Sequence, residues 1–224
     1  MLDNEEIEHV SKASPTKGIK FLGIYMDENL NWKIHTNYIN KKVSKALFIV
    51  NQVKRFLPYK TLLNLYQTLI HPYLSYGILV WGNANKNAIH KTVQLQKRAL
   101  RIIHKSHYRS TTETLFKHSG ILKLKDLFTY SVQLFMYDYE HLLLPNSFKH
   151  IFKYNRDVHP ERRTRQSNHL LINKPRTNFS AKLPKHCFPK IWNDLLMKHP
   201  RLSSMTRPTL KEYTKQSLIA QYQN

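Results

Sequence analysis

From Asn29 to Thr112 the chain contains no aspartate and no glutamate. The same stretch carries Lys33, Lys41, Lys42, Lys45, Lys54, Arg55, Lys60, Lys86, Lys91, Lys97, Arg98, Arg101, Lys105 and Arg109. A solvated helical surface ordinarily mixes both signs, because opposite charges one turn apart are mildly stabilising. Any fold of this block must therefore turn its cations outward with few carboxylates to neutralise them. Over the whole chain 36 Lys and Arg oppose 14 Asp and Glu, a formal net charge of +22. Self-repulsion on that scale is relieved by a polyanion. Nucleic acid is the favoured one, since each neutralised phosphate releases condensed counterions. The competing reading is an ordinary lysine-rich solvated face. An anionic membrane fits less well, because the basic residues are not gathered on one short amphipathic helix.

Other classes are excluded by what the composition lacks. With 5 glycines among 224 residues there is no Walker motif and no GxGxxG phosphate cradle. A single cysteine, Cys187, rules out an internal disulfide framework and a zinc knuckle. A buried structural role is expected for it rather than a reactive one. The 13 histidines are scattered, without an HExxH pair. His104, His107 and His118 carry no signature of a metal site, and no catalytic triad spacing is evident. The acidic N-terminus, with Asp3, Glu5, Glu6 and Glu8, has no signal-peptide core. No apolar run reaches the length of a membrane span. A reducing compartment, cytosolic or nuclear, is expected.

Along the chain, Ile19–Tyr25 reads as a strand ending at the turn-forming Asp27-Glu28-Asn29. Trp32, Ile39, Val43, Ala46, Leu47, Val50 and Val53 recur at helical spacing and predict a helix from about Trp32 to Phe56. Lys41 and Lys45 sit one turn apart, away from that face. Pro58 starts a second helix with Leu62, Leu65, Tyr66, Leu69 and Ile70 inside, and His71-Pro72 marks its end. An apolar segment follows from Tyr73 to Trp81. A fourth helix spans roughly Asn87 to Lys105. Ser110-Thr111-Thr112-Glu113 matches a capping box, and Gly120 closes the helix it opens. Leu122–Leu144 is helical up to Pro145. Asn146–Ala181, with Arg162, Arg163, Arg165 and Arg176, reads as irregular with two short strands. Pro189–Met197 and Thr209–Tyr222 are the last helices. Trp32, Trp81 and Trp192 are expected in the core rather than stacked on bases.

Four stretches stand in a telling order. The first is Lys20-Phe21-Leu22-Gly23-Ile24 with Asp27, Leu30, Trp32 and His35. The second is Leu74-Ser75-Tyr76-Gly77 with Trp81-Gly82, preceded by the Pro58 helix and Tyr66. The third runs from Leu95-Gln96-Lys97-Arg98-Ala99-Leu100-Arg101 to Ile103. The last is Arg176-Thr177-Asn178 followed by Ile191-Trp192-Asn193-Asp194-Leu195. Together they resemble the C-terminal third of jockey-like non-LTR retrotransposon reverse transcriptases, over nearly the whole chain from Ile19.

The resemblance implies a mainly α fold: a palm-end β remnant over residues 1–31, a helical thumb-like domain over 32–145, and an irregular α+β tail with two short helices over 146–224. It implies RNA or RNA–DNA duplex as partner, gripped by backbone phosphates without sequence readout. Lys41, Lys42, Lys45, Lys54 and Arg55 would form one set of contacts, and Lys97, Arg98 and Arg101 a second rail. Such polymerases hold two metal ions on palm carboxylates, including an adjacent aspartate pair. No such pair occurs in this sequence. Asp138 and Glu140 are its nearest imitation, and they fall in a helical pattern. The catalytic carboxylates, fingers, most of the palm and the endonuclease domain of an intact element are thus expected outside these residues, and magnesium only with them. No catalysis and no resident cofactor are expected here. A domesticated nucleic-acid-binding or scaffolding module, or a relic without selected function, stays open beside this reading.

Overall fold

Leu22 and Gly23 take φ angles of 44° and 82°, so the run expected as one strand folds back on itself. In the computed structural model, which describes residues 18–158, 161 and 166–222, β1 (Ile19–Phe21) and β2 (Ile24–Met26) form an antiparallel hairpin. Two left-handed residues at the turn match the twist of paired strands. A continuous apolar run carries no alternation to reveal such a turn, which is why it reads as one strand.

The chain then enters α1 through a loop organised by one carboxylate. Asp27 Oδ1 accepts the backbone N–H groups of Asn29 (3.2 Å) and Asn31 (3.0 Å), and Oδ2 accepts that of Trp32 (3.0 Å). Those bonds hold Leu30 and Trp32 at φ 47° and 65°, a region that costs a non-glycine residue about 1–2 kcal/mol. The helices that follow are α1 (Lys33–Val53), α2 (Tyr59–Leu69), α3 (His71–Ser75), α4 (Ile78–Trp81), α5 (Lys86–Ile103), α6 (Glu113–Ser119), α7 (Leu124–Glu140), α8 (Asn155–Val158), α9 (Pro184–Lys198) and α10 (Arg207–Ala220). The fold is mainly helical with one short N-terminal hairpin. Among the described residues no helix is long and apolar enough to cross a membrane.

The described residues divide into two compact units, one within 18–77 and 84–108, the other within 78–83 and 109–222. The division falls inside the stretch read as one domain over 32–145. The boundary expected at 146 lies within the second unit, because α7 packs on both α9 and α10.

In the first unit α1 packs along α5, and α2 and α3 close the side. Ile39, Val43, Ala46, Leu47 and Val50 of α1 are buried, as are Leu95, Ala99, Leu100 and Ile103 of α5. Two buried polar pairs set the register. Thr92 Oγ1 donates to Asn40 Oδ1 at 2.8 Å, and Gln96 Nε2 donates to the Tyr66 hydroxyl at 3.1 Å. His71-Pro72 ends α2 but also opens α3, since proline is accepted in a first turn where its missing N–H is not needed.

In the second unit α7 is central. Trp192 of α9 donates its indole N–H to Glu140 at 2.8 Å, and Tyr137 donates to the Met205 carbonyl at 2.7 Å. Gly82 is buried against α7; a Cβ there would stand 2.7 Å from the Phe128 ring. Gly120 closes α6 in the left-handed region with φ 62°. The capping box behaves differently from its pattern: α6 begins only at Glu113, no side chain caps it, and Glu113 pairs with Lys123 instead. α9 begins five residues earlier than expected and carries Pro189 inside. The two strands expected in 146–181 reduce, among the described residues, to one antiparallel bridge between Tyr154 and Leu170. Asn193 completes it, donating to the Leu170 carbonyl (2.8 Å) and accepting its N–H (3.1 Å). The side chain thus does the work of a neighbouring strand. Asp3, Glu5, Glu6, Glu8, Arg162, Arg163 and Arg165 lie outside the described residues.

The Asn40–Thr92 bond gives a test. Asn40→Leu alone is expected to cost about 1–3 kcal/mol in urea unfolding, because the Thr92 hydroxyl stays buried without its acceptor. Adding Thr92→Val should recover most of that loss; a double variant as unstable as the two single losses summed would show that the pair sets nothing.

Candidate nucleic-acid interface

With its apolar stripe turned to α5, α1 presents the opposite face to solvent. Lys41, Lys42 and Lys45 are exposed there, and Arg55 is exposed just past the helix end; Lys54 is half-buried. On α5, Arg98 is exposed while Lys97 and Arg101 are half-buried. The buried faces of α1 and α5 meet, so the two cation sets lie on outward sides of the unit and do not converge on one cleft.

Their surroundings separate these residues. Lys54 and Arg55 follow the last residue of α1, and Arg101 is in the last turn of α5. Cations there are stabilised by the unpaired carbonyls of a helix end, which explains them without any partner. Lys41, Lys42, Lys45, Lys97 and Arg98 are mid-helix and have no such account. The unit's described residues hold two carboxylates, Asp27 and Glu28, against fourteen Lys and Arg. Asp27 is already bonded to backbone N–H groups. The contrast is with the second unit, where Arg207 grips Asp138 through two bonds of 2.6 and 2.9 Å.

Sequence reasoning named Lys91 without placing it in the interface, and it missed the other members of each stripe. Asn87, Lys91 and Gln94 are exposed on the same side of α5 as Arg98 and Arg101, at helical spacing. The period used to find the buried face would have found them. On α1 the lysines share their face with Phe48, 65 % exposed, and Ile49, 50 % exposed; Phe56 beyond the helix is 83 % exposed. Apolar groups interleaved with cations form a surface that can meet both the phosphates and the sugar or base faces of a strand.

The remaining candidates resolve as structure. Trp81 and Trp192 are fully buried, while Trp32 is half-buried at the mouth of α1. Asp138 and Glu140 sit in α7, bonded to Arg207 and Trp192. Among the described residues no group of three His, Cys, Asp or Glu could hold a metal ion. Cys187 is partly buried with its thiol on the Lys182 carbonyl at 3.4 Å; burial pushes it up to about 11, so it is a poor thiolate. The chain matches no family model, no curated protein and no solved structure with which it was compared.

One histidine makes this unit sensitive to acid. His35, on α1, is buried, and its Nδ1 accepts the Tyr25 N–H at 3.4 Å, tying α1 to β2. Burial pushes its imidazole down to about 4. The unfolded chain then binds this proton more readily than the folded one. Stability linked to His35 is therefore whole above the ordinary histidine range, falls as pH drops below about 6.5, and is fully lost near 4. The urea midpoint is expected to fall between pH 7 and pH 5 in the natural chain, and by less in His35→Gln; equal falls would contradict this role.

Proposed function

We propose that the chain is a thumb-and-tail segment of a non-LTR retrotransposon reverse transcriptase. Its first unit holds RNA or RNA–DNA duplex by the phosphate backbone. The observation that carries this reading is the mid-helix set Lys41, Lys42, Lys45, Lys97 and Arg98, displayed on two helices that contain no carboxylate. Such cations repel one another in the free protein, and a polyanion relieves that repulsion. Lys41 and Lys45 are separated by one turn, about 6 Å along the axis, and so can follow one strand. The four stretches that resemble the polymerase family add the assignment to a thumb. These residues position nucleic acid and do not polymerise it; the carboxylates that hold metal in the family have no counterpart among them.

The hairpin favours a second reading. Ile19, Phe21 and Leu22 are 49 %, 60 % and 73 % exposed, an apolar edge of the kind a scaffolding module offers to a partner strand. Binding separates the two. Affinity for an RNA–DNA duplex should fall steeply with salt, linearly on a double-logarithmic plot. Lys41→Ala with Lys45→Ala should weaken it at every sequence tested and lower the slope by about two. Lys211→Ala with Lys215→Ala, on α10, should change neither. Affinity that stays flat with salt would dismiss the phosphate mechanism.

A further inference from the structure

Beside the exposed cations the first unit contains a cavity of about 400 Å³ between the hairpin turn, α1, α2 and α3. That volume is within the range of small-molecule pockets, about 300–1,000 Å³. Its walls are aromatic: Tyr38 from α1, and Tyr73 and Tyr76 from the α3 region, with His35, Ile39 and Thr68 between them. Tyr76 is fixed by donating its hydroxyl to the Leu22 carbonyl at 2.5 Å. Gly23 faces the Tyr76 ring across the turn and brings no side chain into the space.

We propose that this cavity is a binding pocket for one unpaired nucleobase of a nucleic-acid strand, with the flanking phosphates on Lys42 and Lys20. The proposal rests on the phosphate-binding reading above and adds a site that reads bases rather than backbone. Three observations select this occupant. The tyrosine rings offer π faces, on which any base stacks. Thr68 lines the cavity, and its hydroxyl, which donates to the Asn64 carbonyl at 3.0 Å, keeps lone pairs that suit a base N–H better than an aliphatic ligand. Cations stand beside the aromatic wall: Lys42 Nζ lies 5.6 Å from the centre of the Tyr38 ring, and Lys20 Nζ lies 5.9 Å from that of Tyr25. Tyr25 and Tyr38 are themselves 5.0 Å apart, so both lysines border one aromatic cluster. A base entering between the tyrosines leaves its phosphates at those ammonium groups.

The test compares two labelled single strands of equal length on the full chain, oligothymidylate and an abasic strand with the same number of phosphates, by fluorescence anisotropy. Oligothymidylate is expected to bind roughly tenfold tighter, the scale of one stacked base. Tyr73→Leu, which removes a π face, should bring the two strands to nearly equal affinity while the salt slope remains. Thr68→Leu, which narrows the pocket from an exposed position on α2, should do the same if Tyr73→Leu does not fold. Equal, salt-sensitive affinity for both strands in the natural chain would overturn the pocket and leave the phosphate surface standing. A preference for bases that survives both substitutions would place the stacking elsewhere and also overturn it. Absence of salt-sensitive binding to either strand and to an RNA–DNA duplex measured alongside would remove both readings together.

Discussion

The packing of α1 along α5 is the contact on which the first unit depends. It buries a stripe on each helix and joins them by the Asn40–Thr92 bond, with Gln96 of α5 held by Tyr66 of α2. These helices contain no carboxylate, so neither outward face carries ion pairs within its own helix. The unit must be held by its interior, and its surface charge works against it. A buried hydrogen bond contributes little beyond its own desolvation, but it is costly to leave half-made. The two pairs therefore fix one register out of several that the apolar stripes alone would allow. That register turns Lys41, Lys45, Lys91 and Arg98 to solvent together.

A second constraint operates where the hairpin meets α1. Asp27 bonds three backbone N–H groups and holds two non-glycine residues left-handed. The strain is local, and its effect is to bring β2 back against the start of α1, where His35 accepts the Tyr25 N–H. The same geometry sets the Leu22–Gly23 turn beside Tyr76 and so builds one wall of the aromatic cavity. The residues Asp27, Leu30, Trp32 and His35, which resemble a family signature, thus have an architectural explanation in this chain.

How much of this was legible in the sequence depends on the range of the interaction. The buried face of α1 follows from a helical period, and Ile39, Val43, Ala46, Leu47 and Val50 are indeed inside. Gly120 stops α6 for the local reason that a left-handed cap suits glycine. The Leu22–Gly23 turn was hidden because an apolar run looks alike whether it continues or reverses. Proline at position 72 could end one helix or begin another, and only packing decides that it does both. Asn193 replacing a strand beside Leu170 is a contact across the chain that no pattern announces. The cations of α1 and α5 were visible as residue types, while their separation onto two outward faces was not. The aromatic cavity was least visible of all, since Tyr38, Tyr73 and Tyr76 come from separate parts of the chain and share no period.

The central claim is that the outward cations of α1 and α5 meet nucleic-acid phosphates. Lysine footprinting addresses it residue by residue: the chain is acetylated with and without an RNA–DNA duplex, and each site is quantified by mass spectrometry. Lys41, Lys42 and Lys45 are predicted to be protected by the duplex, with Lys91 protected on α5, while Lys211 and Lys215 of α10 react equally in both states. Protection spread evenly over both units, or absent from α1, would contradict the account.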